Sequence, residues 1–177
     1  MRFIRVSVVV PCLALAMCVP VRSAAQTCDE AVSALLSTLV GEWQVDASRR
    51  VEVGRFESGE GLSRLDSTLG GCGLIDTRRL RYPDHERESV SVLSATREAA
   101  ELSVVDSEHG AFTVSRGSVG ADRMEFEWAR DLGERVMGTR TEYTVVSSSE
   151  IRVLRMLRRR ADEEWQVTFS ATYTRGS

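Results

Sequence analysis

Residues 28–47 read CDEAVSALLSTLVGEWQVDA, and the period of their apolar side chains changes at Gly41. Before Gly41, Val32, Leu35, Leu36, Leu39 and Val40 recur at helical spacing, which predicts one amphipathic helix over Cys28–Val40. Thr27 or Asp29 offers the capping oxygen, and Asp29 and Glu30 suit the positive end of the helix dipole. After Gly41 the period is two: Trp43 and Val45 alternate with Gln44 and Asp46. A helix of this kind is expected over the mouth or an edge of the β-structure that follows it.

Alternation then continues to the end of the chain. The apolar phases run through Leu62–Leu69, Leu74–Tyr82, Val90–Ala95, Leu102–Val105 and Phe112–Ser115. Met124, Phe126 and Trp128 share a face opposite Glu125 and Glu127; Val136–Val146 and Ile151–Leu157 follow. Trp165, Val167, Phe169, Ala171 and Tyr173 are expected to share the last face. Turn residues separate these runs at Ser58–Gly61, Pro83–Asp84, Glu108–Gly110, Gly117–Gly120, Asp131–Gly133, Ser147–Ser149 and Asp162–Glu163. No second helical stretch is long enough to connect parallel strands. The fold class is therefore all-β: an antiparallel up-and-down barrel of about 8–10 strands with one N-terminal helix, closed because closure removes exposed strand edges.

Upstream, residues 1–25 have the parts of a secretory signal: Arg2 and Arg5, the apolar run VSVVVPCLALAMCV over residues 6–19, and small residues Ser23-Ala24-Ala25 ahead of Gln26. Residues 26–177 are then a single exported domain, periplasmic or extracellular. A membrane anchor fits less well, because Pro11 and Pro20 interrupt or flank a run shorter than a span. A lipid-attachment box at Leu15–Cys18 is spoiled by the bulk of Met17. Cys12 and Cys18 leave with the signal, so Cys28 and Cys72 remain; the exported context favours a disulfide over two buried thiols.

Composition excludes several functions. All 23 basic residues are arginine, so lysine Schiff-base and lysine general-base chemistry are absent. Removing Arg2, Arg5 and Arg22 from the formal charge of −3 leaves −6 for the exported part, an acidic balance that argues against general nucleic-acid binding. Hydrophobic content of 42% is that of a folded domain.

Leu39-Val40-Gly41-Glu42-Trp43, on the first strand just after a helix, resembles the Gly-x-Trp signature of lipocalins and related calycin barrels. The resemblance implies that Arg175, at the end of the last strand, packs across Trp43 and ties down the turn at Gly41. Leu69-Gly70-Gly71-Cys72-Gly73-Leu74, the turn Asp106–Gly110, and Trp165-Gln166-Val167-Thr168-Phe169 with Tyr173-Thr174-Arg175 look like a bacterial family of uncharacterised lipocalin-like proteins. The likeness covers nearly all of Thr38 to Arg175. Arg152–Arg160 is more basic than that pattern, and Ser48–Gly61 aligns poorly with it. A related family of small barrels binds haem through a late histidine, but no histidine follows His109 here, so no cofactor is expected.

Chemistry-bearing residues are sparse. His85 and His109 both fall in turns beside carboxylates, too few ligands for a metal centre, and no Gly-x-Ser-x-Gly elbow is present. No catalytic residue is assigned. Ile151–Arg160 reads IRVLRMLRRR; as a strand it sets an arginine among apolar residues on either face. Arg155 within a barrel would offer a fork to a carboxylate; the alternative is an ion pair with a neighbouring carboxylate such as Glu142. The candidate ligand-binding residues are Arg140, Tyr143, Arg155, Trp128 and Phe126, with Trp43 and Trp165 as further aromatic lining. The expectation is a non-enzymatic exported barrel for a small apolar or amphipathic ligand, without nucleic-acid partners or a membrane span. The alternative is a solid barrel acting through its surface, its arginine tip Arg158–Arg160 foremost; an isomerase or hydrolase comes third.

Overall fold

The structure, a computed structural model, describes residues 28–96, 99–107, 112–131 and 136–175. The expected signal segment 1–25, His109 and the residues beside it at 108–110 lie outside them.

One helix, α1 (Glu30–Leu39), leads into ten strands. These are β1 (Gly41–Glu52), β2 (Arg55–Thr68), β3 (Gly73–Arg81), β4 (Glu86–Ala95) and β5 (Ala100–Asp106), then β6 (Phe112–Val119), β7 (Arg123–Asp131), β8 (Val136–Ser147), β9 (Glu150–Arg158) and β10 (Gln166–Thr174). Each strand pairs antiparallel with its neighbours in sequence, and β1 pairs with β10, which closes the barrel. The expected all-β barrel with one N-terminal helix is the observed architecture.

Alternation along the strands sets the inner face. Trp43, Val45, Leu65, Leu74, Leu80, Leu93, Leu102, Met124, Phe126, Ile151, Val153 and Tyr173 are buried along it. Helix α1 closes one end by inserting Leu36 and Leu39, both 1% exposed. Three ties hold this lid. Cys28 and Cys72 form a disulfide from the helix start to the β2–β3 connection. The Trp43 indole Nε1 donates to the Leu39 carbonyl at 2.9 Å. Arg175 donates through Nη2 to the carbonyls of Thr38 at 2.6 Å and Val40 at 2.7 Å, satisfying groups at the helix end that have no intrahelical partner.

Two expectations are corrected by strand geometry. Ser58–Gly61 is not a turn: it lies inside β2, where Ser58 faces Ser48 and Gly61 faces Val45, and the hairpin turns at Val53 and Gly54. The glycines there answer close approach. A Cβ on Gly59 would stand 2.6 Å from the Tyr82 ring, and one on Gly61 only 2.0 Å from the Arg79 carbonyl oxygen. Similarly, Gly117 belongs to β6, and the chain turns only at Gly120, whose N–H donates to the Arg123 carbonyl at 2.7 Å.

The second correction concerns Trp165. On β10, Val167 pairs with Met156 and Phe169 with Arg155, so Thr168 is an extra residue and forms a bulge. The bulge reverses the facing of the residues before it. Phe169, Ala171 and Tyr173 point inward, whereas Trp165 lies outside, stacked between Arg140 (4.8 Å) and Arg158 (4.5 Å).

Candidate functional site

The interior is layered along the barrel axis. Next to the helix it is apolar and tight: a void of about 30 Å³ sits among Leu39, Leu65, Leu102, Met124, Ile151 and Tyr173. That is room for a water molecule and little more.

Below this lies a polar girdle that the sequence analysis did not single out. Asp76 and Arg78 both point inward from β3, two residues apart. Ser63 Oγ donates to Asp76 Oδ1 at 2.6 Å, and Tyr173 OH donates to Asp76 Oδ2 at 3.4 Å. Arg78 Nη1 donates to Tyr173 OH at 2.6 Å, while its Nε and Nη2 donate to Ser89 Oγ at 3.2 and 3.1 Å. One phenol thus bridges a buried cation and a buried anion. Burial, and then the Asp76 charge, push the Tyr173 phenol far above its usual range. Burial alone would weaken the charge on Arg78, but Tyr173 and Asp76 outweigh it and keep the guanidinium firmly protonated. The alternation could have revealed this layer, since Asp76 and Arg78 share the phase of Leu74, Leu80 and Tyr82.

Phe126, Trp128 and Arg155 lie further from the helix, while Tyr143 also borders the void beneath α1. Phe126 is fully buried and meets the Tyr143 ring edge-on, centroids 6.3 Å apart. Trp128 follows Phe126 on the same inward phase of β7, opposite Thr139. Arg155 points inward from β9, between Thr141 and Phe169, and borders a void of about 10 Å³ with Arg78, Arg87, Ser89 and Phe169. Burial pulls the Arg155 guanidinium downward, and the Arg78 charge adds to that. Burial likewise raises the Tyr143 phenol. Yet Trp128, Tyr143 and Arg155 are only half-buried by surface area.

Arg140 does not join them. It points outward from β8, its Nε donating to Glu127 Oε1 at 2.6 Å, with Glu125 at 3.4 Å and the Trp165 ring beside it. Glu142, weighed as a partner for Arg155, is also outside, where it pairs with Arg123 at 2.8 Å and Arg140 at 3.9 Å. Trp43 is buried beneath Arg175, whose guanidinium stands 4.4 Å over its ring, so it serves the helix end of the barrel.

His85 stacks on Tyr82 at 5.3 Å and pairs through Nδ1 with Asp84, whose carboxyl is held below its usual range mainly by that hydrogen bond. Among the described residues no cluster of three potential metal ligands occurs. The outer face of β1–β4 has a broad open depression of about 680 Å³, but its walls are surface charges paired to one another, such as Arg79 with Glu88 and Arg81 with Glu86.

No protein-family model matches the chain, and no curated protein does. Solved structures do. The crystal structure of Rv2717c from M. tuberculosis superposes with a TM-score of 0.62 at 17% identity, over 85% of this chain and 100% of that one. The S-type phycobiliprotein lyase CPES from Guillardia theta gives 0.55 at 9% identity, over 82% of this chain and 93% of the lyase. A redesigned β-barrel, mFAP1, solved bound to DFHBI, gives 0.48 at 11% identity, over 79% and 97%. At these identities the likeness concerns the fold alone: a lipocalin-like, calycin-type barrel.

Proposed function

We propose that this barrel carries a small amphipathic molecule in the half of its interior away from α1, after export from the cytoplasm. The supporting observation is the convergence of Phe126, Trp128, Tyr143 and Arg155 on the inward phase of three neighbouring strands, with the last three half-buried. Apolar walls with a few placed polar groups are the usual makeup of a ligand pocket. The ligand enters from the mouth opposite the helix and stops at the girdle of Asp76, Arg78 and Tyr173, because the space beyond holds about 30 Å³.

Export is supported by the Cys28–Cys72 disulfide, a bond of oxidising compartments. No described helix is long and apolar enough to cross a membrane. Arg140 is left out of the binding surface, since its charge is engaged outside by Glu127.

The solid-barrel reading draws on the tightness of the helix-end void. Its proposed contact tip is largely engaged locally: Arg158 stacks on Trp165, and Arg160 lies 3.5 Å from Asp162. Native mass spectrometry of gently purified protein separates the two readings. A carrier shows extra mass that is lost on denaturation; a protein that stays bare when offered a panel of amphiphiles favours the surface reading.

A further inference from the structure

Two hairpins meet at the barrel seam, at the end opposite α1. Strand β1 pairs there with β10 through Arg49 and Phe169, and Arg50 Nη1 donates to Gln166 Oε1 at 2.9 Å. The first hairpin turns at Val53 and Gly54, between β1 and β2; the second, through residues 159–165, joins β9 to β10. Hairpin turns ordinarily carry glycine or small polar residues. Gly54 answers that need, with its positive φ of 77°. Val53 does not: it is 90% exposed at the bend, with Val51 at 37% and Phe56 at 48% beside it. Folding supplies no reason for a β-branched apolar side chain at such a tip.

The charge around the tip departs from that of the chain. Residues 50–56 and 158–165 carry five arginines against four carboxylates, on a chain of formal charge −3. Glu52 is engaged by Arg55 at 3.0 Å, Asp162 lies 3.5 Å from Arg160, and Glu163 accepts the Arg159 backbone N–H at 3.2 Å, which leaves Glu164. Arg50, Arg158 and Arg159 have no carboxylate partner for their side chains among the described residues. Arg158 stacks 4.5 Å from the Trp165 ring, and its buried Nε has no hydrogen-bond partner among them either.

We propose that this seam docks the exported protein on an anionic lipid bilayer. Val53 and Phe56 enter the acyl boundary, while Arg50, Arg158 and Arg159 meet the lipid phosphates. Guanidinium forks match phosphate oxygens, and an indole beside arginines suits the headgroup level of a membrane. An acidic protein would satisfy the arginines but would offer no acyl layer to Val53, so the bilayer accounts for both features. The contact is peripheral, reversible and weakened by salt. It serves a hollow barrel and a solid one alike, so it goes beyond the carrier reading and does not depend on it.

Flotation of the purified exported protein, disulfide intact, tests this with two kinds of vesicle: phosphatidylglycerol and phosphatidylcholine in equal parts, and phosphatidylcholine alone. The protein is expected to float with the anionic vesicles, to come off as salt is raised, and to bind the neutral ones at least about tenfold more weakly. Val53→Ser, at a side chain exposed enough to leave the fold untouched, is expected to weaken anionic binding about tenfold. Arg50→Gln combined with Arg159→Gln is expected to weaken it by at least a similar factor. No flotation with the anionic vesicles overturns the proposal, as does equal binding to both kinds. Anionic binding that Val53→Ser leaves unchanged also overturns it, since that marks a plain arginine patch of the sort an acidic protein would use.

Discussion

The guanidinium of Arg175 lies 4.4 Å over the ring of Trp43 while its Nη2 donates to the carbonyls of Thr38 and Val40. The last strand therefore clamps the first strand and the end of α1 in a single contact. Replacing Arg175 with Leu keeps apolar cover over the indole but strands two carbonyls. The expected loss is about 2 kcal/mol, the scale of charged hydrogen bonds and a stacked cation. Urea denaturation followed by Trp43 fluorescence measures it; an unchanged midpoint contradicts the clamp.

The disulfide acts on the same lid from the other side. Cys28 and Cys72 are 44 residues apart in sequence, so their bond restricts the unfolded chain strongly. Reduction, or the double change to Ser, is expected to lower stability by about 2–4 kcal/mol. The barrel, with ten strands each paired on both sides, should persist. Circular dichroism during a reductant titration checks both: helix signal and melting temperature fall, and strand signal stays.

Tyr173 bridges Arg78 and Asp76, so its hydroxyl matters more than its ring. Tyr173→Phe leaves a buried donor and a buried acceptor each short of a partner, a cost of about 1–3 kcal/mol in equilibrium unfolding. A neutral outcome would mean that Arg78 and Asp76 meet directly or through water.

Alkaline pH should act on the same layer. The phenols of Tyr143 and Tyr173 are raised from the ordinary 10.0, first by burial and then by the Asp76 charge, with Arg78 opposing. An acid whose folded value is raised stabilises the fold fully below its unfolded value, and that contribution fades as pH climbs above about 10 toward the folded value. Ultraviolet titration is expected to show these two phenols ionising only as the protein unfolds. Reversible ionisation of all three tyrosines near pH 10 in the folded state contradicts the buried girdle.

Much of this fold was legible in the sequence, for reasons particular residues make clear. The switch from helical to alternating period at Gly41 marks the real junction of α1 and β1. The inward phase of Phe126, Tyr143 and Arg155 follows from alternation that their strands keep without a break in that part. Where alternation is interrupted, the reading failed. The bulge at Thr168 moved Trp165 outside, and nothing local in Gln166-Val167-Thr168 announces it. Gly59 and Gly61 resemble a turn in sequence because the cause of their smallness, Tyr82 and the Arg79 carbonyl, comes from another strand. Arg140 and Arg155 look equivalent along the chain; only the register against Glu127 and Thr141 separates outside from inside. The girdle went unnoticed because Thr77-Arg78-Arg79 reads as solvated charge unless Arg78 is counted in the phase of Leu74 and Leu80.

Nuclear magnetic resonance of the isotope-labelled protein, titrated with a small fatty acid, bears most directly on where a ligand sits. Trp128 and Trp165 report from inside and outside the barrel, as do Arg155 and Arg140. A carrier is expected to show saturable shifts at the Trp128 indole, the Tyr143 ring and the Arg155 Nε–H, with Trp165 and Arg140 unmoved. Shifts confined to Trp165 and Arg140, or no saturable shift at the inner residues, would contradict it.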